Sequence, residues 1–362
     1  MQYALTTHSI IEYGNRVFPA KEVITKLPDG QWFWYSYSEM YKRTKRLAAA
    51  LIKKLGVSAG DRVATFAWNH YQHLELYYAI PGAGAVCHTL NIRLSSKQIV
   101  YIINHAEDKV LFLDASLVSL FEKIAPEIPL LKKYIIMNAP AGFATSLPGV
   151  IHYEDLLSDM PDHFEWVEVD ENDACGLCYT SGTTGDPKGV LYSHRTTYLH
   201  AMAVMQPNGF NISSKDRALL IVPQFHVMAW GFPFVCILAG ADIILPSCHL
   251  QPEALIDIIQ KERVSVANGV PSIWMGIYAA LKKSPPVSKL PLKEFFVGGS
   301  AFPLVLIEGF EHDFNIPGIH AWGMTETSPL GTISRLQPHH DKLPSEEQLI
   351  IRSKQGIELP GV

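Results

Sequence analysis

The chain has 362 residues, of which 48% are hydrophobic and 18% charged, a balance that excludes a disordered or fibrous protein. Its formal net charge of −5 argues against nucleic acid as the main partner. At this length a large core can be buried, and two or three layered subdomains are expected.

The N-terminus lacks a basic region followed by an apolar run, so no secretory signal is read there. The longest apolar stretch, Val227–Ala241, is shorter than the roughly 20 residues that cross a bilayer. Gly231, Pro233 and Gly240 interrupt it as well. The sequence therefore reads as a soluble, cytoplasmic protein without a transmembrane segment. Five cysteines make an odd number and sit in apolar runs. Cys175 and Cys178 have redox or zinc spacing, but no second ligand pair follows, so they read as core residues.

Strands and helices alternate along the chain. Ser38 is expected to cap a helix with Leu47, Leu51 and Leu55 on one stripe, ended by Gly56. Arg62–Trp68 reads as a strand, Tyr71–Ile80 as a helix and Gly84–His88 as a short strand. His70 and His73, three apart, are expected to be solvated or capping rather than metal ligands. Gly82-Ala-Gly84 lacks the third glycine of a dinucleotide fingerprint and reads as a turn. Ser95 or Ser96 caps the helix Lys97–His105, and the strand Lys109–Leu113 follows. Pro140–Met160, rich in Pro, Gly, Ser and Asp, reads as a surface connection.

Alternation then resumes. Asp173–Tyr179 and Val190–Ser193 are expected strands on either side of a glycine-rich loop, and His194–Met205 is a helix. Further strand and helix pairs are Ala218–Val222 with Val227–Leu238, Ala241–Leu245 with Pro252–Glu262, and Val264–Ala267 with Pro271–Leu281. Lys293–Val297 leads into the helix Pro303–Asp313. Repeated units of this spacing imply α/β architecture, with parallel sheets covered by helices. The expected division is 1–165, a first sheet–helix subdomain; 166–330, a second; and 331–362, the start of another piece.

The densest chemistry lies in Tyr179-Thr-Ser-Gly-Thr-Thr-Gly-Asp-Pro-Lys-Gly189. Glycines allow close backbone approach to a ligand, while N–H groups and Ser/Thr hydroxyls can surround phosphate oxygens. Lys188 adds a compact positive charge. Because Lys188 follows Pro187 and precedes Gly189, the run is not a Walker A loop. It reads as a nucleotide phosphate loop of another kind.

This run closely resembles the signature loop of the adenylate-forming enzymes, which include acyl-CoA synthetases, luciferases and peptide-synthetase adenylation domains. Three more segments follow in the order of that family: Val222-Pro-Gln-Phe-His-Val-Met-Ala-Trp230, Val297-Gly-Gly-Ser-Ala-Phe-Pro303 and His320-Ala-Trp-Gly-Met-Thr-Glu-Thr-Ser-Pro329. The first and last look most like medium- and long-chain fatty-acid–CoA ligases. The resemblance implies layered parallel sheets, part of a small distorted β-barrel over 331–362, and a mobile C-terminal domain. Neither the family's later Thr-Gly-Asp segment nor its lysine-bearing domain is matched after Ser328. Thr184-Gly185-Asp186 spells Thr-Gly-Asp but belongs to the phosphate loop. The chain is therefore expected to be the large N-terminal portion of a longer enzyme, of very low activity alone.

The implied activity is ATP-dependent activation of a fatty acid to an acyl-adenylate and its transfer to coenzyme A. Ser181, Gly182, Thr183, Thr184, Gly185 and Lys188 are implied phosphate contacts, and Thr180 and Glu326 magnesium ligands. Thr325 is implied at the α-phosphate. Gly298, Gly299 and Ser300 are implied along adenine, with His320 and Ala321 at its edge and Trp322 and Gly323 beside it. Trp322 stands where the family usually has a stacking tyrosine. His226 is implied beside the acyl-phosphate, and Val227, Trp230 and Gly231 along an acyl tunnel that Trp230 gates. No Lys or Arg lies between residues 218 and 260, so an aliphatic acid is expected over an amino acid. Two other readings stay open: another adenylating ligase, such as an aryl-CoA ligase or adenylation domain, and a non-catalytic nucleotide- or acyl-binding fragment. Acyl chain length and a homodimer are left open.

Overall fold

The computed structural model describes residues 3–180, 185–286 and 288–361. In chain order the strands are β1 (Glu22–Lys26), β2 (Trp32–Ser36), β3 (Arg62–Phe66), β4 (Val86–Thr89), β5 (Val110–Asp114), β6 (Lys133–Met137), β7 (Val150–His152) and β8 (Ala174–Thr180). They continue as β9 (Lys188–Ser193), β10 (Arg217–Leu220), β11 (Asp242–Leu245), β12 (Val266–Gly269), β13 (Glu294–Val297), β14 (Gly318–Gly323), β15 (Leu330–Ile333) and β16 (Ile357–Glu358).

Contacts divide the chain into two units. One comprises Met1–Ala20, Tyr35–Tyr198 and Pro223–Ala229; the other comprises Lys21–Trp34, Leu199–Val222 and Trp230–Val362. In the first unit the sheet order is β7-β6-β5-β3-β4-β8-β9, parallel except for the antiparallel return of β9 on β8. Ile99, Ile102 and Ile103 of the helix Ser96–Ala106 pack with Phe66, Leu111 and Ile136 into one core. The helix Tyr71–Gly82 is buried along its whole length; most of it is apolar, and its polar Gln72, His73 and Glu75 are buried against hydrogen-bonding or charged partners.

The second unit has a sheet of order β16-β15-β14-β13-β12-β10-β11-β1-β2. Strands β14 through β1 in that order run parallel, and β15 and β16 extend the edge antiparallel. Its core centres on Trp274, Phe295 and Phe310, with ring centroids 4.1 and 4.6 Å apart along that chain of contacts. Residues 331–362 supply the helix Ser345–Ser353 and β16 to this edge. The expected boundary at 165/166 differs from the contact division. β8 pairs parallel with β4, in register Thr89↔Cys178, so the strands flanking the phosphate loop complete the first sheet.

Several local expectations need correction. The cap of the helix Tyr37–Lys53 is Ser36, not Ser38: its hydroxyl accepts from Glu39 N–H at 3.1 Å, while Glu39 accepts from Ser36 N–H at 2.8 Å. This reciprocal box outcompetes a single cap two residues later. Pro140–Met160 is not all surface connection, because β7 and the helix Tyr153–Leu157 lie within it. Buried Tyr153 donates to Glu75 at 2.6 Å, an interaction that composition could not reveal. His70 does cap the helix at Tyr71, accepting from His73 N–H, but both histidines are buried rather than solvated. The expected helix Val227–Leu238 begins as a left-handed turn, Val227–Gly231, before the regular helix Phe232–Ala239. All five cysteines are free; Cys175 and Cys178 are buried, as expected of core residues.

Candidate functional site

In the first unit, β8 carries the chain out of the sheet and β9 returns it, with Thr180 paired to Lys188 and Cys178 to Val190. The hairpin thus opens at the carboxyl end of a parallel strand, where open α/β sheets bind ligands. Thr180 Oγ1 donates to the Lys188 carbonyl at 3.5 Å. Gly185 and Lys188 are exposed, and the Lys188 ammonium makes no ion pair among the described residues. Ser181, Gly182, Thr183 and Thr184 lie outside the described residues. Two cavities of about 500 and 420 Å³ open instead near the starts of strands, around Arg62, Val63 and Val110 and around Gly60, Gly84 and Ala174. That is the opposite end of the sheet from the loop.

The segment that carries His226 is held by its backbone. Asn69 Oδ1 accepts from Gln224 N–H at 2.7 Å, and the Tyr77 hydroxyl donates to the Gln224 carbonyl. His226 N–H returns to Pro223 O at 3.0 Å. Crowding by neighbouring atoms, then the positive charge of Arg93, holds the His226 imidazole below its ordinary pKa. Next come Val227, Met228, Ala229 and Trp230 at φ of 42°, 51°, 52° and 57°, and Gly231 at 76°. Left-handed backbone costs a non-glycine residue roughly 1–2 kcal/mol, so this turn is held by its surroundings. Gly176 on β8 helps: a Cβ there would lie 3.3 Å from the Met228 methyl, so the glycine leaves room for Met228.

In the second unit, Gly298, Ala321 and Trp230 come together. A Cβ on Gly298 would lie 2.7 Å from the Ala321 carbonyl oxygen and 3.0 Å from the Trp230 indole. Gly298 is buried, whereas Gly299, at φ +82°, and Ser300 are exposed. The Trp322 ring packs over Gly331, where a Cβ would come within 2.9 Å. His320 is buried and its Nδ1–H donates to the carbonyls of Ser353 and Lys354, each at 3.0 Å. That places its Nδ1 face on backbone rather than in open space.

Strand β14 ends at a bulge between Trp322 and Gly323, and the chain turns through Thr325–Thr327. The turn is closed by Met324 N–H, which donates to Thr327 Oγ1 at 2.9 Å and to Pro329 O at 3.0 Å. Gly323 is required there, since a Cβ would lie 2.1 Å from Pro329 O. Closure turns the Glu326 carboxylate outward: it is exposed and has no ion-pair or hydrogen-bond partner among the described residues. Thr325 is half-buried beside it. No group of three or more His, Cys, Asp or Glu that could hold a metal occurs among the described residues.

Sequence reasoning missed His200. It lies on the helix His194–Met205, where its Nε2 accepts from Leu330 N–H at 3.2 Å. Burial lowers its pKa to about 4, so the ring is neutral and the acceptor is available at neutral pH. A lone histidine on a helix gives no signal of such a contact.

The profile of the AMP-binding enzyme family matches residues 11–359. The chain belongs to the AMP-binding enzyme family. Over its whole length this AMP-binding chain is 43% identical to a medium-chain-fatty-acid–CoA ligase of Ectopseudomonas oleovorans, covering 66% of that protein. It is 40% identical, over 99% of its length, to a long-chain-fatty-acid–CoA ligase of Thermus thermophilus, covering 64% of it. It thus spans about two thirds of the length of these curated relatives. Among solved structures, an anthranilate CoA ligase in complex with anthranoyl-AMP covers all of this chain with a TM-score of 0.85 at 20% identity, and 66% of that protein is matched. A long-chain-fatty-acid–CoA ligase of Archaeoglobus fulgidus gives 0.84 at 21% identity, covering 99% of this chain and 70% of its own. At that identity the likeness is one of fold: AMP-binding enzymes share these sheets. No helix among the described residues is long and apolar enough to cross a membrane.

Proposed function

We propose that these residues serve an AMP-forming fatty-acid–CoA ligase. The observation that carries the reading is the set of four motifs, in family order, on a chain 43% identical to a medium-chain-fatty-acid–CoA ligase. A carboxylate is a poor electrophile, so joining it to a thiol requires a better leaving group. Attack of the acid on the α-phosphate of ATP yields acyl-adenylate and pyrophosphate, and the thiol of coenzyme A then displaces AMP. The protein's part is to align two anions and to neutralise charge on the phosphates.

Each residue has a part in this proposal. Ser181, Gly182, Thr183, Thr184, Gly185 and Lys188 take the β- and γ-phosphates, and among the described residues no carboxylate pairs with Lys188. Gly298, Gly299, Ser300, His320, Ala321, Trp322 and Gly323 form the adenine side. Thr325 takes the α-phosphate, His226 sits by the acyl-phosphate, and Val227, Trp230 and Gly231 line the path of the acid. Glu326, exposed and without a partner among the described residues, suits magnesium, an ion that takes few protein ligands and completes its shell with phosphate and water; Thr180 is the second ligand that the family motif implies. Bound there, magnesium would neutralise phosphate charge. The apolar stretch without Lys or Arg between residues 218 and 260 supports an unbranched aliphatic acid.

Calorimetric titration of ATP, with and without magnesium, tests the nucleotide part. Magnesium-dependent binding is expected, weakened about ten- to a hundredfold by Lys188→Ala or Glu326→Ala, the worth of one charged contact. ATP–pyrophosphate exchange with octanoate, laurate, benzoate and amino acids, run on a version that also carries the family's lysine-bearing domain, tests the acid. Strong exchange with an amino acid alone would refute the fatty-acid assignment.

A further inference from the structure

His200 touches two turns of the second unit at once. On one side its Nε2 accepts from Leu330 N–H at 3.2 Å. Leu330 is 4% exposed, which leaves that N–H poorly placed to find water instead. On the other side the ring lies so close to Gly231 that a Cβ there would sit 2.6 Å from Cε1 and Nδ1. Gly231, at φ +76°, ends the left-handed turn of Trp230, and Trp230 in turn leans on Gly298. Leu330 directly follows Pro329, whose carbonyl closes the turn that exposes Glu326.

We propose that His200 is a positioning residue that fixes the spacing between the Trp230–Gly231 turn and the Thr325–Glu326 turn. The role rests on the ligase reading, in which the first turn lies along the acid and the second at the phosphates. An imidazole suits both contacts. Its unprotonated nitrogen satisfies a buried donor, and its flat edge fits against a residue without a side chain. Leucine would fill similar space without an acceptor; glutamine would restore an acceptor without the ring.

Two ligands separate positioning from plain support. ATP–Mg engages the nucleotide side, whereas a non-hydrolysable lauroyl-sulfamoyl adenosine needs the acid and nucleotide sides in register. Calorimetric titration of both into the chain, alongside thermal melts, compares wild type with His200→Leu, His200→Gln and Gly231→Ala. For His200→Leu, affinity for the bisubstrate analogue is expected to fall about tenfold, the size of one lost hydrogen bond, with ATP–Mg affinity changed less than about threefold. His200→Gln should recover most of the loss. Gly231→Ala presses on the ring from the other side and adds a methyl on the proposed path of the acid, so it should lower bisubstrate affinity at least as far; if His200→Leu fails to fold, His200→Gln decides, with a smaller loss for the bisubstrate analogue and unchanged ATP–Mg affinity. Equal losses for both ligands that track melting temperature would overturn the positioning role, as would wild-type affinity in His200→Leu. Failure of wild type to bind either ligand would instead overturn the ligase reading.

Discussion

Gly298→Ala puts the packing of the adenine turn to a direct test. The new Cβ would lie 2.7 Å from the Ala321 carbonyl oxygen and 3.0 Å from the Trp230 indole. Ordinary contacts for such atoms begin near 3.4 Å, so about 0.7 Å must be recovered at the oxygen and about 0.4 Å at the indole. The Ala321 oxygen cannot retreat cheaply, because Ala321 is paired in β14, in register with Ile333 of β15. The indole is the softer neighbour, yet Trp230 is 8% exposed and its backbone sits in the left-handed turn. Overpacking of this kind typically costs about 1–3 kcal/mol. In a cooperative unit of roughly 150–250 residues, that lowers the melting temperature by about 2–4 °C per kcal/mol. Displacing the indole should also shift the preferred acid length, and the altered turn should weaken ATP binding. Differential scanning calorimetry measures the first effect, binding of acyl-sulfamoyl adenosines of graded chain length the second, and ATP titration the third. Wild-type melting and wild-type affinity together would refute the close approach of Gly298, Ala321 and Trp230.

Two further outcomes follow from buried charge and buried histidine. Glu75 is completely buried, with Arg43 Nε at 2.7 Å and the hydroxyls of Tyr35 and Tyr153 at 3.0 and 2.6 Å. Arg43→Met should cost about 3–5 kcal/mol by stranding that carboxylate, and adding Glu75→Gln should recover part of it; chemical denaturation of both variants is the check. Burial holds His73 to a pKa of about 3 and His194 to about 4, against an ordinary value of 6.5. Their unfolded forms take up protons first as pH falls, so stability should be level above about pH 6.5 and decline toward pH 4, each ring contributing at most about 1.4 kcal/mol per pH unit. His8 and His200 shift the same way, also to about 4, but keep some exposure and should add less. A denaturation midpoint that stays constant from pH 7.5 to 5 would refute this.

Periodicity found the strands and helices of the α/β pattern because each buries a repeated apolar face. It missed β1 and β2: Glu22–Lys26 and Trp32–Ser36 are five residues each, and β1 finds its second neighbour, β11, only far along the chain. It also misread Val227–Gly231, for apolar residues look helical whichever hand the backbone takes; only the fitted neighbours, such as Gly176 against Met228, determine the hand. Lys188 stood out because a cation among glycines and hydroxyls is a chemical signal in itself, whereas Glu326 was singled out only through the family resemblance; the structure adds that both side chains are exposed. His200 gave no such signal, because its importance lies wholly in what folding brings to its two sides.

The place of β1 also bears on how the protein is made. Val23 pairs with Ile243, and the partners are 220 residues apart. At about 5–20 residues per second, a ribosome needs roughly 10–40 seconds to reach β11 after finishing β1. During that interval a Val-Ile-Thr segment has no native neighbour on the β11 side and is open to pairing with other chains. Lys21, Glu22 and Lys26 bracket those three residues with charge, which hinders such pairing while leaving the native register free to form. Neutralising this bracket should harm yield during synthesis more than it harms the finished fold.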